Sequence, residues 1–470
     1  LPVALRGWAL DSASLGDPGA PGLGYPGIDI DRYDVNLSFA IDLGAVGEQP
    51  RVEYTAITTL VGHGNLERVD KIALDFVLPA GPVEVLLDDA PARWWSGPGN
   101  KLWVALPRPL GVGTPFKLRF HYGGRAQMAG SGFVLRRAGE TLQIWSAPGG
   151  AVNWFPGNHH PRDRAEVGLT VTVPDPYVSV GNGGLVRQFR DGDRVTTAFF
   201  SRQPMATSEA MVHIARYTVV ERSSPGGVPI QAYLLRAPEA AEDLLALLAR
   251  QLDWFAARLL GYPFESLTIV ESGATNSTSL AGLLVVGRNQ AGSRTVYWER
   301  NAALMARQWF GAAVGGRNRG GGWRDAGGAA YLAQLYLARD QGPEIVRARL
   351  AALELAYASG VAADVALAEL PGDGSASAQA VAANKAPFAF HRLRLLLGDR
   401  LFWSVLRDYV STTPELLASL NALEAAAIDG VTGPTGPVRA LFDGDFRAAR
   451  VPRLLLAWSR AGGRVQARVC

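Results

Sequence analysis

The sequence predicts a multidomain α+β protein: an antiparallel β-sandwich or saddle first, a mainly helical domain second, and a short β-hairpin at the C-terminus. Two observations carry this. From Ile28 to about residue 215, short runs of alternating apolar and polar residues recur between Gly, Pro and Asn turns, the mark of an all-β domain. After Ser223-Ser224-Pro225-Gly226-Gly227 the apolar spacing turns helical. A chain of 470 residues, 48% hydrophobic, has the length and apolar content for several packed cores. The predicted spans are 1–28 as an extended leading segment, 29–222 as the β-domain and 223–450 as the helical domain. Residues 451–470 form the hairpin, or the start of a further domain.

In the first 28 residues Asp17-Pro18-Gly19, Pro21-Gly22 and Pro26-Gly27 oppose both helix and strand. Strands are predicted at Tyr33–Phe39, Val52–Leu60, Lys71–Leu78, Leu102–Leu106, Phe116–Tyr122, Val167–Val173 and Arg194–Phe200. Past the boundary come one or two strands over Ile230–Leu235, a helix at Glu239–Leu260 ended by Gly261-Tyr262-Pro263, and a buried strand at Leu267–Val270. Helices follow over 297–313, 325–339, 343–359, 376–397, 399–410 and 414–428. Gly320-Gly321-Gly322 and Pro371-Gly372-Asp373-Gly374 are breaks. Leu454–Trp458 and Arg464–Val469, joined by Ala461-Gly462-Gly463, make the closing hairpin. The pairs Trp94-Trp95 and Trp154-Phe155 read as core packing, with a carbohydrate or peptide platform as the alternative.

Composition excludes several chemistries. Lys and Arg total 46 against 43 Asp and Glu, a surplus too small and scattered for nucleic acid, which needs a clustered basic face. The lone Cys470 permits no intrachain disulfide and no cysteine-based metal site. The six histidines, His63, His121, His159, His160, His213 and His391, include no pair three or four apart, so no helix presents a two-histidine metal face. No Gly-x-Ser-x-Gly elbow occurs. The Gly315–Gly322 run lacks the Gly-Lys-Ser/Thr ending of a phosphate loop. No apolar run reaches the roughly 18–20 residues that span a bilayer. A chain that opens on Leu1, with lysine only at Lys71, Lys101, Lys117 and Lys385, reads as the mature part of a secreted precursor.

Several blocks resemble the gluzincin aminopeptidases, the membrane-alanyl-aminopeptidase family of zinc metallopeptidases. The first are Arg32-Tyr33-Asp34-Val35-Asn36-Leu37 and the long Asn153-Trp154-Phe155-Pro156-Gly157-Asn158-His159-His160-Pro161-Arg162-Asp163-Arg164-Ala165. Gln203-Pro204-Met205-Ala206-Thr207, Tyr262-Pro263-Phe264 with Leu267–Glu271, and Gln308-Trp309-Phe310-Gly311 follow. Leu393–Asp399 and Leu406-Arg407-Asp408-Tyr409 resemble the late helices. The resemblance implies a thermolysin-like second domain carrying His-Glu-x-x-His and a later Glu: two histidines on one helix face and a third ligand hold zinc, and the first Glu is general base for its water.

In the register set by Gln308-Trp309-Phe310-Gly311 that motif falls on Ala303-Leu304-Met305-Ala306-Arg307, and a spacer of 18 residues leads to Ala326. Trp323 and Tyr331 flank Ala326 as the family's Trp and Tyr flank its Glu. Ala303, Arg307 and Ala326 thus stand for the ligands and Leu304 for the base. Ser279, in Asn276-Ser277-Thr278-Ser279-Leu280, stands for the Glu that binds a substrate's amino group. Ala383, ahead of Lys385, stands for the transition-state Tyr.

The sequence-level expectation is therefore a degenerate family member with no metal and no cofactor. Its role is an extracellular binding or assembly scaffold, with a protein partner or self-assembly and no nucleic acid, and a peptide or small ligand in the old cleft is a further option, the cleft being either open or plugged. Arg307 is expected to pair with Asp325 or Glu271. The alternative is a hydrolase with relocated, metal-independent chemistry built on carboxylates such as Glu271, Glu299 and Asp325.

Overall fold

The computed structural model describes residues 14–16, 22–44, 48–138, 141–274, 276–288, 294–315, 321–360, 364–370, 376–411, 419–449, 456–461 and 464–469. Outside these lie most of the leading segment, Gly320, the Pro371–Gly374 break, the start of the helix expected at 414, Leu454, Gly462-Gly463 and Cys470.

The first half is built on an eight-stranded sheet. In spatial order its strands are Gly184–Asp191, Arg194–Ala206, Arg164–Pro174, Ile28–Asp42, Arg51–Gly64, Pro115–Arg125, Glu84–Leu87 and Ala90–Pro91. All pairs are antiparallel except Ile28–Asp42 with Arg164–Pro174, where Arg32 lies opposite Glu166 in parallel register. Arg51–Gly64 shows why the sheet has two unlike faces: Val52, Tyr54, Ala56, Thr58 and Leu60 are buried and the residues between them point outward. A three-stranded sheet (Val69–Asp75, Lys101–Leu110, Trp94–Gly97) and a four-stranded sheet (Val178–Gly181, Val212–Ala215, Thr141–Ser146, Phe133–Ala138) complete this half.

Trp154 and Phe155 are fully buried with ring centroids 4.5 Å apart, so this aromatic pair is core. Trp95 is 41% exposed and stacks on Trp103.

The block around His159 is a buried polar knot. Asp75 forms an ion pair with Lys101, both all but inaccessible. Asp75 also accepts the N–H groups of Gly24 (2.9 Å) and His159 (3.0 Å), while Lys101 Nζ donates to the Gly24 carbonyl (2.9 Å). Asn158 accepts from Tyr25 N–H (2.6 Å), and its own N–H donates to Tyr33 Oη (2.9 Å). His159 Nε2 lies 2.9 Å from the Phe155 carbonyl and Nδ1 lies 2.8 Å from Thr207 Oγ1, which makes Nε2 the protonated nitrogen. His160 Nδ1 accepts the Arg162 N–H at 3.2 Å, so both histidines bond to backbone.

The second half opens on a five-stranded sheet in the order Thr218–Ser223, Pro229–Leu234, Leu267–Ser272, Leu283–Gly287, Thr278–Leu280. The middle three strands are parallel and both edges antiparallel. Ser224–Gly227, where the sequence changes grammar, is the tip of the first hairpin of this sheet, which therefore begins at Thr218. The helices are α1 (Glu242–Ala256), α2 (Arg294–Ala306), α3 (Ala329–Gln341), α4 (Glu344–Gly360), α5 (Ala376–Ser411), α6 (Leu420–Gly430) and α7 (Gly436–Leu441). In α5 Gly398, at φ +73°, makes the break expected between 397 and 399. Leu456–Ala461 and Arg464–Val469 pair as the closing hairpin.

The helix expected over 297–313 ends early. After Ala306 the chain winds into wide turns through Gln308–Ala313, with Phe310 and Gly311 outside helical geometry. Wide turns over Trp323–Gly328 likewise precede α3.

Removing one member of a buried ion pair strands the other charge. Lys101→Ala is expected to cost roughly 3–5 kcal/mol in the first unfolding transition of a guanidinium titration followed by circular dichroism.

Candidate functional site

The candidate site forms where α2 runs out. Ala302-Ala303-Leu304-Met305-Ala306 is a strong helix-forming run. Its Ala302, Met305 and Ala306 are fully buried in the core of the helical half, and Leu304 is nearly so. Ala303 and Arg307, one turn apart, are half-buried; Ala303 still packs against that core, and Arg307 N–H bonds to the Ala303 carbonyl at 3.1 Å. Ala326 is half-buried in the wide turns before α3. Those turns press on α5 at Gly327, where a Cβ would stand 2.2 Å from the Ala386 Cβ, so only glycine fits. Trp323 stacks on Phe390, and Tyr331 Oη lies 2.9 Å from His391 Nδ1, which locks both flanks of Ala326.

Gln308-Trp309-Phe310-Gly311 is the anchor for all of this. Gln308 is completely buried and fully satisfied. Its Nε2 donates to Ser279 Oγ and to the Leu280 carbonyl, each at 2.8 Å, and its Oε1 accepts from Tyr262 Oη (2.9 Å) and Gly282 N–H (3.2 Å). Trp309 Nε1 donates to the Gly261 carbonyl at 2.8 Å. The end of α2 is thereby stitched to the edge strand Thr278–Leu280 and to the turn after α1. Ser279 is a buried partner of Gln308.

Charge gathers at this point from both halves. Glu209, just past the Gln203–Thr207 block, accepts the Ala281 N–H at 3.1 Å. Burial pushes its carboxyl up to about 7; Arg307 and then Arg164 oppose that rise, while Asp325 adds to it. Burial also raises the Asp325 carboxyl, against the pull of Arg324 and Arg307. Arg324, 1% exposed, forms an ion pair with Asp325 at 2.5 Å. Arg164 donates to the carbonyls of Pro204 (2.9 Å) and Ala312 (3.0 Å), tying the β-half to the segment after α2. The Arg307 guanidinium makes no side-chain hydrogen bond or ion pair to a described residue; it acts on Glu209 and Asp325 through space.

The other residues singled out by the sequence are placed elsewhere. Glu271 pairs with Arg236 and accepts Leu235 N–H at 2.9 Å, so it is not the partner of Arg307. Glu299 pairs with Arg349 of α4 at 2.5 Å. Ala383 is a half-buried residue of α5, and Lys385, two residues on, is buried against Asp364 (2.9 Å) and the carbonyls of Val365 and Ala448. Glu209 is the member that sequence reasoning missed; its position directly after the Gln203–Thr207 block was the available signal. An open groove of about 1010 Å³ lies in the β-half between Phe39, Tyr54, Phe76 and Phe133, away from this cluster.

The fit to zinc is decided by the donor atoms. Zinc takes nitrogen, sulfur or carboxylate donors, and alanine side chains offer none. A guanidinium stays protonated and repels a cation. No group of three or more His, Cys, Asp or Glu side chains able to hold a metal occurs among the described residues. The residues present at these positions do not fit the ion.

The class that this architecture defines is the fold of the M1 zinc metallopeptidases, the gluzincin aminopeptidases. An M1 zinc metallopeptidase from Deinococcus radiodurans matches with a TM-score of 0.78 and 24% identity over 94% of this chain and 98% of that one. A variant of an M1 zinc metallopeptidase from the same organism, bound to a Tyr-Ser-Ala substrate, matches at 0.77 and 23% over 94% and 99%. A two-domain M1 zinc metallopeptidase variant bound to L-arginine matches at 0.75 and 24% over 92% and 98%. At these identities the likeness is one of fold. No family model and no curated protein matches the sequence.

Two outcomes are expected. A carboxyl whose folded-state pKa lies above its unfolded value holds its proton more tightly when folded, so stability is lost as pH rises from about 4.5 to about 7 and stays lost above. Glu209→Gln should melt at a higher temperature than wild type at pH 8, with the gap closing towards pH 4.5; parallel melting curves across that range contradict it. Gln308→Leu strands several buried groups at about 1–3 kcal/mol each, and should lower the melting temperature by far more than the exposed control Gln203→Leu.

Proposed function

We propose that this chain is a non-catalytic protein on the M1 metallopeptidase fold, working as an extracellular binding or assembly scaffold. The observation that carries the proposal is the residue set Ala303, Leu304, Arg307 and Ala326 where the resemblance calls for two histidines, a general base and a third ligand. Water attacks an amide at a useful rate only with a strong base or a metal to activate it. In this reading the chain's own residues do structural work at the cleft. Arg307 sets a permanent positive charge beside Glu209 and Asp325, Gln308 fixes the neighbouring edge strand, and Arg164 holds the two halves together. The sparse lysine and the glycine- and proline-rich loops support the extracellular setting and a partner, either another protein or a second copy.

One observation favours a second reading, a hydrolase with relocated chemistry. Burial poises the Glu209 carboxyl near 7, the range in which a general acid or base works.

Hydrolysis of aminoacyl-arylamides separates the two. The scaffold reading predicts no turnover with or without added zinc. Turnover that survives a chelator and disappears in Glu209→Gln establishes the second reading. The combined variant Ala303→His, Leu304→Glu, Arg307→His and Ala326→Glu should acquire about one zinc per chain by elemental analysis, since the flanking packing of Gln308, Trp323 and Tyr331 is in place.

A further inference from the structure

Gly184–Asp191 is the outermost strand of the eight-stranded sheet, and no described strand pairs with its outer side. Nearly all of it is exposed, with Val186 at 66% and Phe189 at 41%. The ladder fixes which groups face outward. Asp175 N–H donates to the Asp193 carbonyl at 2.7 Å, so Val195 and Thr197 bond inward to Arg164–Pro174. Arg194, Thr196 and Ala198 then bond to Asp191, Phe189 and Arg187. The N–H and C=O groups of Gln188 and Arg190 therefore point off the edge. Arg187, Phe189 and Asp191 share one face of the strand, and the Arg187 guanidinium lies 4.3 Å from the centre of the Phe189 ring. Arg190 is neutralised by Asp175 at 2.9 Å. Arg194, opposite Asp191, is turned to Ser38 Oγ and the Phe39 carbonyl, at 2.9 Å each. Arg187 and Asp191 are in no ion pair with a described residue. The edge thus presents one cation and one anion, placed symmetrically about Phe189.

We infer that this edge is an interface between two copies of the chain, paired antiparallel about a two-fold axis at Phe189. Main chain alone does not choose the partner, since any extended strand fills exposed ladder donors and acceptors. The charges do choose. An axis at Phe189 sets Gln188 opposite Arg190 of the second copy, and these exchange main-chain hydrogen bonds. It sets Arg187 opposite Asp191 of the second copy, in the closer, non-bonded type of pair where side chains meet. The two Phe189 rings come together on the axis, covered by the flanking ion pairs. Sliding the register one way sets Arg187 opposite Phe189 and loses those pairs. Sliding it the other way sets the two Arg190 side chains against each other. The strand is thus its own complement in one register. The bulge at Val186 and the turn at Gly192-Asp193 bound the paired stretch. Beyond Leu185 a groove of about 570 Å³, bordered by Pro229–Gln231, leaves room for the turn of the second copy. The inference names the partner of the scaffold reading and rests on that reading only for the purpose the dimer serves.

Analytical ultracentrifugation of the whole chain, up to about 100 µM, tests it. Wild type is expected to form a dimer whose population grows with concentration. Arg187→Asp sets acid against acid across the axis, and Asp191→Arg sets base against base; each should weaken the dimer at least about tenfold. An equimolar mixture of the two variants restores opposite charges at both pairs and should dimerise like wild type. Gln188→Pro removes an N–H that points off the edge and leaves the internal ladder intact, so it should also abolish the dimer. Unchanged circular-dichroism melting of each variant shows that the fold is kept. A wild-type chain that stays monomeric throughout, a dimer indifferent to Arg187→Asp, or a mixture that fails to associate overturns the inference. Arylamide turnover and zinc content of the same preparation decide the scaffold reading separately.

Discussion

Two carboxylates brought together in one cleft require a counter-charge, and everything around the end of α2 is arranged about that requirement. Glu209 arrives from the sheet-rich half and Asp325 from the helical half. With a metal, the ion itself would be the largest local charge. Here the charge comes from guanidiniums, which cannot lose their protons and do not dissociate. Arg324 binds Asp325 directly, Arg164 spans the halves, and Arg307 acts on both acids at longer range. The arrangement leaves Glu209 incompletely compensated, which is why burial still dominates its titration.

The scaffold does not depend on what the cleft holds. Gln308 and Trp309 are bound to Ser279, Leu280, Tyr262 and Gly261. Trp323 packs on Phe390 and Phe446, and Gly327 lets α5 come close. These contacts are apolar or fully paired, so the same backbone can form with or without a metal. That separation explains how Ala303, Leu304, Arg307 and Ala326 coexist with blocks of sequence that keep the pattern of a zinc peptidase.

Much of this was legible in the residues. Alternation gave the long strands, because a two-residue period on a sheet with one buried face leaves a strong imprint. It failed for Gly184–Asp191, whose residues are nearly all exposed, and for Val212–Ala215, which is buried on both faces; neither strand alternates. Gln308-Trp309-Phe310-Gly311 stood out in the sequence, and Gln308, Trp309 and Phe310 are all buried side chains. Glu209 escaped notice because its importance comes from a partner 98 positions away, at Arg307, and no local pattern encodes a contact between domains. Glu271 and Glu299 misled for the same reason: Arg236 and Arg349, which claim them, are far from each in sequence.

The central claim is that the face of α2 bearing Ala303 and Arg307 holds a guanidinium in place of a divalent ion. Anomalous diffraction at the zinc absorption edge, from crystals grown in excess zinc, tests it most directly. The account predicts no anomalous peak between Ala303, Arg307 and Ala326, and density for the Arg307 guanidinium facing Glu209 and Asp325. A full-occupancy zinc peak at that position, with Arg307 swung away from both acids, contradicts it.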